Sequence, residues 1–181
     1  QWSTIVQRIE AIKERLQKSI GKAEIVHLAD EVANMDSAID VAISWLYLPG
    51  KIALRASWLV ENIIIPKSSL HQRYAIQLCD ALLKSENPAM RRNVAKTIAQ
   101  SYIPEEREDE LFDFSIRAIG NSNEAVAVKV HCVSIAFQIT LRYPELATEI
   151  YELIKEQEPK NSVAFAACSR KYMKNLEKMM A

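Results

Sequence analysis

His131 and Ser134 are the two residues whose types and spacing come nearest to catalytic chemistry in this chain. They stand about one helical turn apart, where a histidine could serve as the base for a serine hydroxyl. Such a histidine also needs a carboxylate to orient it, and none is visible nearby in the sequence. The other histidines, His27 and His71, lie in separate segments, and no H-E-x-x-H or C-x-x-C spacing is present. The sequence therefore predicts no catalytic group, no metal site and no cofactor.

Cysteine content and charge exclude further classes of protein. Cys79, Cys132 and Cys168 are odd in number and lie in separate helical patterns, so we expect small buried side chains in a reducing cytoplasm. The 23 basic and 23 acidic residues balance, which argues against a bulk attraction to nucleic acid or to a membrane surface. The longest apolar run, Ile63 to Ile65, is far too short to cross a bilayer. We expect a cytoplasmic protein with no membrane span and no small-molecule substrate.

The hydrophobic residues recur every three to four positions, which predicts an all-α chain of ten amphipathic helices. Only three glycines and six prolines interrupt this pattern, and no segment alternates in the manner of a β-strand. Gly21 and the pair Pro49-Gly50 mark helix ends. The predicted helices span residues 3–20, 22–35, 37–48, 51–65, 69–84, 89–103, 105–119, 124–143, 145–157 and 162–179.

Prolines divide these helices into pairs. Pro66, Pro104 and Pro144 each close a long helix rich in alanine, valine and isoleucine, and they stand 38 and 40 residues apart. Basic residues recur near the start of the second helix of each pair, at positions 55, 91 and 129. A helix-pair period of roughly 40 residues is typical of an α-α superhelix, in which each antiparallel pair buries its apolar face only by stacking on its neighbours.

Five segments of the chain are similar to short bacterial HEAT-like repeat proteins, which are solenoids of the HEAT and armadillo type. The segments read ALRASWLVENI, MRRNVAKTIAQSYIPEE, ELFDFSIRAI, EAVAVKVHCVSIAFQI and SRKYMKNL, and the resemblance covers roughly residues 49–176. It implies an α-solenoid and no established catalytic residues. We therefore expect a single HEAT-like repeat domain over residues 1–181, with capping helices at 1–48 and repeat pairs at 49–181.

The second helix of each pair would line the concave face of such a solenoid. On a wheel of about 100 degrees per residue, these helices leave a polar strip for solvent beside their apolar sides. Apart from Glu177, every charge on the strips is positive, whereas the helices predicted at 105–119 and 145–157 are mostly acidic. The residues predicted to contact a partner on this basic concave face are Arg55, Trp58, Arg92, Lys96, His131, Gln138, Arg142 and Lys174.

Structural interpretations compete with this binding role. Trp58 has apolar neighbours on the wheel, so it could instead pack in the core or between repeats. The basic residues at positions 55, 91 and 129 could bridge adjacent repeats through carboxylates or helix C-termini. Acidic residues in first turns and basic residues near the tail also complement helix dipoles, so part of the charge segregation could be structural.

The function that these patterns favour is a non-catalytic cytoplasmic scaffold that binds a protein partner, an acidic or extended segment, through the concave face. The alternative is DNA binding through the same face, in the manner of HEAT-like DNA repair proteins. Among such repair proteins, the HEAT-like alkylpurine DNA glycosylases combine a cationic concave face with aromatic residues and an acidic residue. The polar strips of this chain carry no clear aspartate. A small-molecule enzyme would instead need a deep pocket lined by titratable groups.

Overall fold

The computed structural model describes residues 2–181, and these form ten α-helices, five short 3₁₀ turns and no β-strand. The helices are α1 (Trp2–Gln17), α2 (Lys22–Val32), α3 (Asp36–Ser44), α4 (Lys51–Ile64), α5 (Ser68–Lys84), α6 (Arg91–Gln100), α7 (Glu108–Gly120), α8 (Val126–Arg142), α9 (Ala147–Gln157) and α10 (Val163–Met180). Each corresponds to one of the ten predicted helices, so the all-α fold class is confirmed. Within this range, no helix combines the length and the apolar character that a membrane crossing requires.

Two helix ends show how local signals act. Pro49-Gly50 separates α3 and its following 3₁₀ turn from α4, as predicted, and Gly50 has a φ of +69°, which residues with a side chain rarely adopt. The helix predicted at 89–103 is too long, because α6 ends at Gln100. Ser101 leaves the helical region with a φ of −118° and a ψ of −88°, and Ile103 is disfavoured in a helix because a proline follows it.

Several helices start later than the pattern predicts. Single 3₁₀ turns stand where α6, α7 and α9 were predicted to begin, at Pro88–Met90, Glu105–Arg107 and Pro144–Leu146. Tighter hydrogen bonding of this kind is common in the first turn of a helix, and periodicity alone does not separate it from α-helix. The start of α8 is also displaced to Val126, because Ala125 is extended with a ψ of 135°.

The chain forms two compact units, one ending at Ser101 and the other comprising Tyr102–Ala181. In the first unit α4 packs between α2 and α6, α3 contacts α5, and α1 lies against α4. In the second unit α8 packs on α10 and α7 on α9, while α7 also packs on α8 and α9 on α10. Each unit is therefore built from helix pairs whose equivalent members contact each other, as expected for stacked repeats.

Apolar residues of neighbouring helices pack together to form the core of each unit. In the first unit Leu59 of α4 and Leu78 of α5 are completely buried. In the second unit Phe165 and Leu176 of α10 are completely buried in a cluster with Ile150 and other apolar residues of α7, α8 and α9. Because α2 to α10 each pack against two or more neighbouring helices, the remaining polar strips are the surfaces available for binding on these helices.

Polar bridges connect residues that lie about one repeat apart. Arg55 Nη1 donates to the carbonyl oxygen of Leu16, in the last turn of α1, at 2.7 Å, and the two residues are 39 positions apart. Lys129 Nζ donates to Asn161 Oδ1 at 3.1 Å across 32 positions. Further bridges span 34, 36 and 39 positions: Lys67 to Ala33, Asn93 to Ser57 and Arg142 to Ile103. The predicted bridge to a helix C-terminus is confirmed for Arg55, whereas Lys129 bridges to a side-chain amide rather than to a carboxylate or a helix C-terminus.

Candidate functional site

The predicted contact residues of the first unit lie on α4 and α6, outside its apolar core. Trp58 is half-buried on α4, next to the completely buried Leu59. Arg92 is exposed in the first turn of α6, and Lys96 follows one turn later as a half-buried side chain. Because part of its surface is accessible, Trp58 can contact a partner as well as pack within the unit.

The strip on α6 is less basic than the sequence indicates. Lys96 Nζ forms an ion pair and a hydrogen bond with Glu61 Oε1 of α4. Glu61 is only 8% exposed, so its carboxylate is largely removed from water and needs this partner. The charge of Lys96 is therefore offset by a carboxylate that the wheel does not place on the strips, whereas Arg92 keeps its charge exposed.

Sequence reasoning missed Glu61, although a signal was present. Glu61 is the single acidic residue of α4, and it interrupts an apolar run between Val60 and Ile63. A lone carboxylate in an apolar stripe calls for a cation, and Lys96 stands 35 positions later, close to one repeat period. Pairing across the repeat could have been predicted from that spacing.

Arg55 serves the fold, because its guanidinium is joined to the α1 carbonyl of Leu16. We expect Arg55→Met to lower the free energy of unfolding by about 1 to 3 kcal/mol, since Leu16 is completely buried and its carbonyl would lose a charged donor. Chemical denaturation followed by tryptophan fluorescence would measure the loss. Arg92→Met is the matched control, because Arg92 is exposed and should give a change below about 0.5 kcal/mol. Equal stability of the two variants would contradict a structural role for Arg55.

In the second unit, the α8 strip is polar but engaged. His131, Ser134 and Gln138 are half-buried, at spacings of three and four residues on one side of the helix. Gln138 Nε2 donates to Ser134 Oγ at 3.2 Å. The Ser134 hydroxyl, which the sequence analysis considered together with His131 for catalysis, therefore accepts a hydrogen bond from an amide. No group of three or more His, Cys, Asp or Glu residues within 2–181 could hold a metal ion.

Arg142 is also less available than predicted. Its Nη1 lies 2.6 Å from Glu108 Oε1 and 3.8 Å from Glu105 Oε1, and its Nη2 donates to the Ile103 carbonyl at 3.1 Å. Glu108 is 3% exposed, so its carboxylate depends on this guanidinium. A hydrogen bond to the same carboxylate raises the pKa of the Tyr143 hydroxyl. The acidic start of α7 thus neutralises the basic end of α8, which corrects the prediction of a free cation at Arg142.

Four exposed cations of the second unit lie on α10. We use the name α10 basic face for Arg170, Lys171, Lys174 and Lys178, which are all exposed. Their spacings of three and four residues place Lys171, Lys174 and Lys178 on one side of the helix, with Arg170 beside them. None of the four forms an ion pair with any residue between 2 and 181. Lys174 is the only one of them among the predicted contact residues.

Aromatic contacts link this face to α8. Lys171 Nζ lies 4.8 Å from the centre of the Tyr172 ring, and that ring packs against Phe137 of α8 with centroids 5.1 Å apart. Glu177, the one carboxylate predicted on the strip, instead accepts a hydrogen bond from the Tyr151 hydroxyl of α9 at 3.0 Å. The ammonium groups therefore project from a packed surface, and the nearby glutamate is engaged on another side.

Cysteine placement differs from the prediction at one position. Cys79 and Cys132 are completely buried, as expected, but Cys168 is exposed. It lies on the solvent side of α10, one turn before Lys171, where no further helix of the second unit covers it.

Two clefts of about 500 and 420 Å³ also open at helix ends, one in each unit.

A family model described as a HEAT repeat domain matches residues 12–176. The match begins earlier than the resemblance found in the sequence and extends across both units. No curated protein and no solved structure matches the chain. HEAT repeat domains are typically protein-interaction scaffolds and are generally non-catalytic, and their stacked helix pairs agree with the packing of both units.

Proposed function

The chain belongs to the HEAT repeat domain family, and on that premise we propose that it is a non-catalytic scaffold that binds an acidic, extended segment of a protein partner. The contacts are made by the strips of the second helices, considered separately in each unit. In the first unit they are Trp58 and Arg92, and in the second they are His131, Gln138 and Lys174. We place the scaffold in the cytoplasm, where the exposed Cys168 thiol would stay reduced.

The observation that carries this proposal is the α10 basic face. Four exposed cations that lack ion pairs within residues 2–181 produce a positive potential that the rest of the helix does not cancel. Carboxylates of an extended segment can reach cations at successive helical turns, because the side chains lie on neighbouring sides of one helix. Arg55 is held by a hydrogen bond, and Lys96 and Arg142 are held by ion pairs within their own units. These three residues stabilise the helices that carry the strips and are not unpaired cations.

DNA binding through the same strips is the competing proposal. A phosphate backbone is bound by several uncompensated cations, each of which releases a counterion. Glu61 and Glu108 place negative charge beside Lys96 and Arg142, which lowers the attraction of these positions for phosphate. A protein segment depends less on those two positions, because its backbone and side chains can also use the polar groups of His131 and Gln138.

The proposal is tested by fluorescence anisotropy with a labelled glutamate-rich decapeptide and with labelled single- and double-stranded DNA, at about 50 and 200 mM salt. We expect the peptide to bind and Lys174→Glu/Lys178→Glu to raise its Kd about tenfold or more. Reversal of two exposed charges replaces attraction with repulsion at the centre of the face. Lys18→Glu/Lys22→Glu is the matched control, because both lysines are exposed, lie in the first unit and change the net charge equally.

The outcomes separate the two functions. An equal loss of peptide binding in both double variants would show a response to net charge alone and would contradict the proposed face. Tighter binding of DNA than of peptide, with an affinity that falls steeply between the two salt concentrations, would replace the protein partner with nucleic acid. Far-UV circular dichroism of each variant checks that the helices are retained.

A further inference from the structure

A cleft of about 420 Å³ opens in the second unit, where the start of α7 faces the turn between α8 and α9. We call it the α7 pocket. Its apolar surface comes from Phe112, Ile139 and Leu146, and the aromatic ring of Tyr143, a residue that is 43% exposed, also lines it. The volume is in the range of pockets that bind side chains or small ligands. The α10 basic face contributes no residue to this lining.

The charged lining of the α7 pocket is entirely acidic. Asp109 and Asp113 lie one turn apart on α7, and Glu145 approaches from the 3₁₀ turn that precedes α9. These three carboxylates are exposed and form no ion pair with any residue in the range 2–181. Glu108, the fourth, is buried and already paired with Arg142. The pocket therefore retains three uncompensated negative charges next to an aromatic ring.

Arg142 shows which cation suits this environment. Its guanidinium contacts the buried Glu108 carboxylate and the Ile103 carbonyl through two different nitrogens. A planar group with several donors can also stack on an aromatic ring while it donates to carboxylates, which a compact ammonium group does less well. A metal ion does not fit, because the acidic residues of the described chain form no group of three that could hold one.

We propose that the α7 pocket binds an arginine side chain from a basic segment of a protein partner. Asp109 and Asp113 accept hydrogen bonds from one edge of the guanidinium, Glu145 attracts it from the opposite wall, and Tyr143 offers its ring face. The aliphatic part of the arginine side chain packs on Phe112 and Leu146. The partner would thus present an arginine to the α7 pocket, independently of any acidic segment bound by the α10 basic face.

The experiment is a titration of the ¹⁵N-labelled chain with N-acetyl-arginine amide, followed by amide chemical shifts. We expect saturable shifts at residues 108–113 and 143–146. N-acetyl-citrulline amide is the matched probe, because citrulline has nearly the same shape without the charge, and we expect its Kd to be about tenfold higher or more. N-acetyl-lysine amide should also bind more weakly than the arginine amide, because it lacks the planar fork.

Variants of the pocket complete the test. Asp109→Asn/Asp113→Asn/Glu145→Gln should remove the arginine-dependent shifts and retain the far-UV circular dichroism of the helices. Glu149→Gln/Glu152→Gln/Glu158→Gln removes three exposed charges of the same unit outside the pocket and should leave the titration unchanged. Equal binding of arginine and citrulline amides, equal binding of the lysine amide, or an equal loss in both triple variants would each overturn the proposal. So would the absence of saturable shifts at the pocket.

Discussion

Phe165→Ala is expected to lower the free energy of unfolding by about 3 to 5 kcal/mol. The Phe165 side chain is completely buried on α10, within the apolar cluster that joins α7, α8, α9 and α10. Truncation removes the transfer free energy of the ring and leaves a cavity between helices that are held by several other contacts. Urea denaturation followed by far-UV circular dichroism would measure the loss, because this signal follows the loss of helical structure, to which α7 to α10 contribute.

Val163→Ala is the matched control on the same helix. Val163 is 86% exposed, so its truncation should change the free energy of unfolding by less than about 0.5 kcal/mol. The two substitutions lie two residues apart and remove apolar side chains from opposite environments. If Phe165→Ala cost no more than Val163→Ala, the packing of α10 against α8 and α9 would be wrong.

Gly50→Ala is expected to cost about 1 to 3 kcal/mol through the backbone alone. Gly50 precedes α4 with a φ of +69° and a ψ of −148°, a combination that only glycine adopts readily. No atom lies within 4 Å of a Cβ added at this position, so steric contact does not contribute. Trp45 and Trp58 flank the turn in the same unit, and tryptophan fluorescence during denaturation would therefore follow the effect.

Gly21→Ala provides the control for the backbone effect. Gly21 is likewise the residue before a helix, and a Cβ there would also meet no atom within 4 Å, but its φ is −94°. The weak preference for glycine over alanine at such a position is common to both sites. We expect Gly21→Ala to change stability by less than about 1 kcal/mol, and equal losses at the two glycines would contradict the left-handed conformation of Gly50.

Helix positions could be predicted because their signals are local. Apolar spacing, Pro49-Gly50 and the recurring prolines act on neighbouring residues, so they predict ten helices and their pairing without knowledge of packing. The exposed, basic side of α10 followed from the same periodicity, because residues at intervals of three and four share one side of a helix. The errors in the predicted helices lie at helix ends. At the starts of several helices, 3₁₀ turns and the extended Ala125 have the same composition as a first helical turn.

Charge neutralisation could not be assigned by treating one helix at a time. Glu61 pairs with Lys96 and Glu108 with Arg142 across 35 and 34 positions, so each ion pair depends on how successive helix pairs stack. A wheel places a charge on one side of its own helix but does not reveal the carboxylate that an adjacent helix brings to it. The strips consequently looked more basic in the sequence than they are in the structure.

The sequence by itself determined the helical class, the repeat period and the polar sides of the helices, because these depend on propensity and periodicity along the chain. Only the tertiary structure decided that Lys96 and Arg142 are paired with carboxylates while the α10 cations form no ion pair within residues 2–181. It also decided the α7 pocket, whose carboxylates come from two separate helical segments. Burial and distance between remote residues set both features, and neither quantity is expressed in local spacing.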